Sequence, residues 1–190
     1  MNENQSQNKI LSEAEFLKNY SAEKYPRPSL TADIAIFKDG EGEKKQILLI
    51  KRKNHPFMGS FALPGGFANP DETIKETALR ELFEETKIEN IPITPIDMFT
   101  KPGRDPRGWV VTYAFLADIG KTSVKAEAAD DAAEAVWFEI SHKNDIFVLT
   151  SGEIKIEFEI KNGCTVYKTD TKLAFDHSEI ILSACRLLKI

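Results

Sequence analysis

Residues 66–88, GFANPDETIKETALRELFEETKI, constrain this chain more than any other stretch. The pattern predicts a helix over 72–86, on which Glu81, Glu84 and Glu85 occupy positions i, i+3 and i+4. Side chains at that spacing share one face within a single turn, so three carboxylates are forced together. They repel one another, and they stand near the helix C-terminus, where the macrodipole already disfavours negative charge. A hard divalent cation such as Mg²⁺ takes carboxylate and carbonyl oxygens and would remove both penalties. Just upstream, LPGG (63–66) supplies a Pro-Gly-Gly turn that brings backbone carbonyls towards the same place. A plainer reading is a solvated surface helix, since Ile74, Ala78 and Leu82, with Leu79 and Phe83, form an ordinary apolar stripe. It accounts for the stripe, but not for LPGG at this distance or for acid crowded at the unfavourable helix end.

The ordered set Gly66, Glu72, Arg80, Glu81, Leu82, Glu84, Glu85 and Ile88 resembles the signature of the Nudix hydrolases. One position departs from it: Lys87 stands where the family has glycine. Glycine ends a helix in a left-handed turn at little cost, whereas lysine there costs on the order of 1 kcal/mol. Lysine is, however, favoured by the dipole at this end and is placed to pair with Glu84. The resemblance implies an α/β (α+β) Nudix fold, a mixed β-sheet sandwiched between α-helices. It implies hydrolysis of a nucleoside diphosphate linked to another moiety, with Mg²⁺ as cofactor and Mn²⁺ as the alternative. Glu81, Glu84, Glu85 and a carbonyl at Gly66 are then the metal ligands, and Glu72 and Arg80 fix the loop against the helix.

With 190 residues the chain has the length of one domain with a sizeable core. No apolar run approaches a membrane span, and MNENQSQNK lacks the apolar centre of a signal peptide, so a cytoplasmic location is expected. The two cysteines, Cys164 and Cys185, have no metal-ligand spacing and are expected to be buried thiols. A formal net charge of −5 without a basic stripe argues against nucleic acid as a partner. A small-molecule nucleotide substrate, no membrane partner and a homodimer are expected.

In chain order, residues 1–29 form a tail with a short helix over 13–20, capped by Ser12 and Glu15 and stapled by Leu11 and Phe16, and residues 30–190 form the Nudix domain. LTADIAIF (30–37) and QILLIKR (46–52) are predicted strands, followed by the signature, a strand over 91–101 whose prolines suit an edge, and GWVVTYAFLAD (108–118). Residues 153–169 are predicted as an added β-hairpin turning at Asn162-Gly163, with Phe158 opposite Tyr167 and Ile160 opposite Thr165. The last helix lies within 173–188, capped by Asp176 and Glu179, with Ile180, Ile181, Ala184, Cys185, Leu187 and Leu188 on its buried face.

The strings RDPRGWVVTYAFLA, DDAAEAVWF and LAFDH are similar to segments of one Nudix branch, the ADP-ribose pyrophosphatase-like proteins. That similarity implies cleavage of ADP-ribose to AMP and ribose 5-phosphate. The alternative is a non-catalytic or weakly catalytic Nudix-type sensor of ADP-ribose or another NAD-related nucleotide; the intact glutamates, and the lack of sequence for a DNA-binding domain after the last helix, favour the enzyme. Arg104 and Arg107, whose guanidinium forks suit phosphate oxygens, and Arg52 are the expected substrate-binding residues. Glu134 is the first choice for an acidic residue completing the site or acting as base, with Asp130 and Asp131 behind it. His177 is expected to be a hydrogen-bonded support. Phe57, Phe61, Phe67 and Trp109 are candidates for stacking on a base, with nothing to choose among them.

Overall fold

A computed structural model of the protein describes residues 11–121, 132–162 and 164–190. Its centre is β1 (Ser29–Asp39), an almost continuous apolar run that is buried on both faces. Alternation along the strand divides the run between two cores. On one face Ala32, Ile34 and Ile36 join Leu48 of β2 (Lys45–Arg52), and α2 (Ile74–Thr86) covers them with Ala78 and Leu82. On the other, Ala35 and Phe37 join Ile47 and Leu49, covered by Ile180, Ile181, Ala184 and Cys185 of α3 (His177–Leu188). Each large side chain removed from water in this way stabilises the fold by about 1.5–3 kcal/mol.

The remaining strands are β3 (Phe61–Ala62), β4 (Gly65–Phe67), β5 (Thr94–Phe99), β6 (Val110–Asp118), β7 (Ala132–Lys143), β8 (Ile146–Ser151), β9 (Ile154–Lys161) and β10 (Cys164–Tyr167). The sheet order is β10-β9-β8-β7-β2-β1-β6-β5, with β3 on β2 and β4 on β1. β1 and β6 run parallel, Ser29 opposite Val110, while the other pairs are antiparallel. The mixed sheet between helices is the expected fold class, and proline-bearing β5 lies at its edge.

The β9–β10 register is the expected one, Phe158 opposite Tyr167 and Ile160 opposite Thr165. The hairpin is not isolated, however: β8, absent from the sequence reading, joins it to β7 in a continuous meander. The signal for β8 is the two-residue turn Asn144-Asp145, with Asn144 at φ 57°, just before the apolar run IFVL. α1 (Glu13–Asn19) has the Ser12–Glu15 capping box, but Leu11 and Phe16 stay about half exposed, at 47% and 53%.

Three further expectations are corrected. Asp176 stands at the N-cap of α3 without capping it, since Arg104 takes both of its carboxylate oxygens. Leu187 is exposed, because the sheet meets only the face carrying Ile180, Ile181 and Ala184. Cys164 is exposed on β10, whereas Cys185 is buried. Among the described residues no helix is long and apolar enough to cross a membrane.

Candidate active site

The pairing of β4 with β1 sets Gly65 opposite Asp33 and Gly66 opposite Ala32, which lays the LPGG turn against the sheet. Both glycines are there for space. A Cβ on Gly65 would run into the backbone oxygen of Ala32 and lie 2.6 Å from Asp33 Oδ1, and one on Gly66 would run into the Glu81 carboxylate. The loop and the acidic end of α2 are therefore packed backbone against carboxylate.

α2 starts later than the spacing predicted. Thr73, in extended conformation, is its N-cap and forms a capping box with Glu76. Glu72 thus stands outside the helix, free to accept from the Asn69 N–H at 2.8 Å and from Arg80 Nε and Nη2 at 2.9 and 2.7 Å. Arg80 also donates to the carbonyl of Phe67 at 3.0 Å, so it ties the loop to the helix. Its Nη1 lies between Glu81 and Glu84, at 2.7 and 3.0 Å. At the other end Lys87 adopts the left-handed conformation, φ 59° and ψ 16°, and its N–H closes the helix on Phe83 O. Its Nζ reaches the backbone oxygen of Glu84 at 3.5 Å, and it lies 5.0 Å from the Phe83 ring. Lysine thus adopts the geometry that glycine adopts freely, and Lys87→Gly is expected to stabilise the protein by about 1 kcal/mol. An unchanged urea midpoint would show that these contacts offset the strain fully.

The carboxylates differ sharply in environment. The Arg80 guanidinium holds Glu72 down at about 2, helped by the Asn69 amide. Burial raises Glu81 against the opposing pull of Arg80. Glu85 is only 7% exposed, and burial pushes it up to about 8, with Glu81 and Asp33 adding repulsion, although the Gly65 N–H donates to it at 2.9 Å. Asp33 is a site residue that sequence reasoning missed. It is buried, accepts from Thr112 Oγ1 at 2.6 Å and lies 3.5 Å from His177 Nε2. The available signal was a lone acid inside an apolar strand, which is costly unless it is partnered.

His177 is buried, as a support should be: its Nδ1 accepts from the Leu63 N–H at 2.8 Å, so the imidazole holds the LPGG turn. Burial lowers its pKa, which keeps the ring neutral, and the accepting Nδ1 places its proton on Nε2, facing Asp33. Arg104 is not an open fork. Its side chain is 3% exposed and bound at 2.8 and 2.6 Å to Asp176, with Asp33 at 3.9 Å. Arg107 pairs with Asp105 at 2.7 Å and lies 4.7 Å from the ring of Phe67 and 5.4 Å from that of Phe175. Arg52 lies 5.1 Å from Phe175 and donates to Pro56 O at 2.8 Å.

One cavity of about 400 Å³ gathers most of these groups: Asp33, Glu81, Glu84 and Glu85 line it together with Arg52, Arg80 and Arg107. Gly65, Gly66, Phe67, Phe175 and His177 complete much of its wall. Glu134 is not on that wall; it lies opposite Lys51 on the neighbouring strand and pairs with it at 3.1 Å. Asp130 and Asp131 lie outside the described residues. Of the stacking candidates, Phe67 lines the cavity, Phe61 is buried in the core, and Trp109 borders a separate apolar groove. Phe175, which the sequence reading did not single out, stands in the cavity instead.

The donor set fits a hard divalent cation in its chemistry, since it is all carboxylate and backbone oxygen. The glycine cradle against Glu81 and the burial of the Glu85 carboxyl, whose ionised form a cation would stabilise, are consistent with that. The side chains as they stand are not gathered round one point: among the described residues no three acidic, histidine or cysteine groups converge, and Arg80 Nη1 neutralises Glu81 and Glu84. A cation held by these residues would compete with that guanidinium for the Glu81 and Glu84 oxygens.

Carboxylates at a helix end and guanidinium groups lining one polar cavity suit an anionic diphosphate, the kind of substrate that pyrophosphohydrolases take. Residues 28–146 match the family profile described as NUDIX domain, and the chain belongs to the Nudix family. It is 39% identical over 139 residues to an ADP-ribose pyrophosphatase of Methanocaldococcus jannaschii, covering 73% of this chain and 78% of that protein. Its fold matches a MutT/nudix family protein from Enterococcus faecalis with TM-score 0.83 and 38% identity, over 94% of this chain and 70% of that one. It also matches the NUDIX domain of Shewanella oneidensis NrtR, solved with ADP ribose, with TM-score 0.70 and 27% identity over 94% and 99% of the two chains.

Proposed function

We propose that this protein hydrolyses ADP-ribose to AMP and ribose 5-phosphate in a reaction dependent on Mg²⁺, with Mn²⁺ as a substitute. The observation that carries this reading is the single cavity that Glu81, Glu84, Glu85 and Asp33 line together with Arg52 and Arg107. The identity to an ADP-ribose pyrophosphatase and the match to a domain solved with ADP ribose support the choice of substrate.

In this mechanism one water adds across the phosphoanhydride, so one P–O bond forms and one breaks. Glu81, Glu84 and Glu85, with a carbonyl at Gly66, are the residues that would hold the cation. Bound there, it would supply charge neutralisation at the diphosphate and a more acidic water. Arg52 and Arg107 orient the phosphate oxygens through charge-assisted hydrogen bonds. Arg80 and Glu72 keep the loop and the helix in register, and His177 holds the LPGG turn from below through the Leu63 amide. The proton released by the attacking water goes to one of the cavity carboxylates. Glu134, outside the cavity wall and paired with Lys51, is poorly placed to take it.

The test is incubation of the purified protein and Mg²⁺ with ADP-ribose, NADH, nucleotide sugars and nucleoside triphosphates, with phosphate-containing products followed by chromatography. AMP and ribose 5-phosphate are expected from ADP-ribose, and their formation should stop on chelation of the cation. Binding of ADP-ribose without turnover of any compound would favour a sensor over an enzyme.

A further inference from the structure

Beside the carboxylate-lined cavity lies a second one of about 380 Å³, and Arg104 and Phe175 belong to the walls of both. One side of it is β10, which contributes Cys164, Thr165 and Tyr167. Another is aromatic. Phe57 and Phe175 meet edge to face, with ring centroids 4.9 Å apart at 65°. Both have left-handed backbones, φ 62° and 51°. For an aromatic residue that conformation costs on the order of 1–3 kcal/mol, and it persists where surrounding structure demands it, often at ligand clamps. Phe175 also carries the Arg52 and Arg107 guanidinium groups at 5.1 and 5.4 Å, so one ring borders both the diphosphate-facing arginines and the second compartment.

The polar groups around this compartment have a definite chemistry. Glu179 and Lys101 stand 3.6 Å apart, and the Thr165 hydroxyl is 2.7 Å from that of Ser178. Acceptors and donors are thus both at hand with their charges nearly balanced, above aromatic rings whose faces attract C–H edges. An uncharged ring rich in hydroxyls satisfies such a surface. A further phosphate would instead compete with Glu179 for Lys101 and with Asp176 for Arg104, since each of these cations is already paired.

We propose that this compartment receives the terminal sugar of the nucleoside diphosphate conjugate, with β10 as its wall and Phe175 as the partition between sugar and diphosphate. The proposal rests on the hydrolase reading above and assigns the added strands a part in substrate choice. Cys164 reports on it, because it is exposed and the other of the chain's two cysteines is buried.

Alkylation of Cys164 by iodoacetamide is followed in Glu85→Gln protein with Mg²⁺, where turnover is slowed about 10³-fold. Each ligand is used at a concentration that shifts the thermal midpoint and so is bound. ADP-ribose at near saturation is expected to slow alkylation about tenfold, and ADP to leave it unchanged. A midpoint shift by ADP-ribose without protection overturns the assignment, as does equal protection by ADP, which would put the nucleoside there. No midpoint shift by ADP-ribose in this variant or in the wild-type protein means that the substrate reading has failed, and this proposal falls with it. As a second measurement, Cys164→Trp should raise KM for ADP-ribose about tenfold with little change in kcat, whereas an unchanged KM overturns the proposal. If that variant does not fold, the alkylation comparison on native Cys164 decides.

Discussion

Glu85→Gln is expected to lower kcat about 10³-fold and, without divalent cation, to make the protein more stable at pH 8. The loss of activity follows from removing one of the charges that would hold the cation, a change of roughly 3–4 kcal/mol in the barrier. The gain in stability follows from linkage. Burial raises the Glu85 carboxyl to about 8 in the folded state, above its usual carboxylate range. A group raised on folding contributes its stability below its unfolded pKa and loses it as pH climbs through the folded value. The wild-type protein should therefore weaken between about pH 4.5 and 8, whereas glutamine, uncharged and still able to accept from the Gly65 N–H, avoids the loss. The difference at pH 8 is expected to be on the order of 1–3 kcal/mol. Urea midpoints across that pH window with a chelator present measure it. A variant with full activity would remove Glu85 from the cation site, and parallel pH profiles would show that its charge is already compensated.

Arg104→Ala should cost about 3–5 kcal/mol of stability, more than any other arginine in the cavity. Its guanidinium is 3% exposed and satisfies two buried acids, Asp176 and, more loosely, Asp33. Burial alone would lower its pKa, but the Asp176 hydrogen bonds outweigh that and raise it. Alanine would leave both acids buried in its absence, without the positive charge set between them. For a domain of this size the thermal midpoint should fall by roughly 10 °C. Arg107→Ala should cost less, about 1–2 kcal/mol: its side chain is 41% exposed, and although its partner Asp105 is buried, that carboxylate keeps the Arg107 backbone N–H at 2.8 Å. Equal losses from the two variants would contradict this division between a structural and a substrate-facing arginine.

The contrast between the two arginines marks the limit of what the sequence made legible. Local patterns came through: the three glutamates on one turn, the Ser12–Glu15 box, the Phe158–Tyr167 register and the strand at β1 each depend on residues a few positions apart or on simple alternation. The helix starts two residues later than the spacing predicts because Thr73, not the signature glutamate, makes the cap, and Glu72, outside the helix, accepts from Arg80, the partner the resemblance implies for it. What did not come through depends on contacts made only by folding. Arg104 and Arg107 look alike in GRDPRG, yet Asp176, 72 positions away, claims the first. Asp33 and Phe175 acquire their places from the same long-range packing, and nothing around them in sequence states which cavity they face.

That packing also sets an order of events. α2 and the β7–β10 meander are closed by neighbours in sequence, whereas the Thr112 hydroxyl bonds Thr31 across 81 positions and His177 accepts from Leu63 across 114. Loop-closure entropy delays such distant contacts and slows chains that rely on them. On dilution from denaturant the chain should therefore regain helical and strand signals before its cavity exists. Recovery of catalysis becomes a clock for the joining of β1 to β6 and of α3 to the loop, two events that report on the topology of the sheet more directly than its secondary structure does.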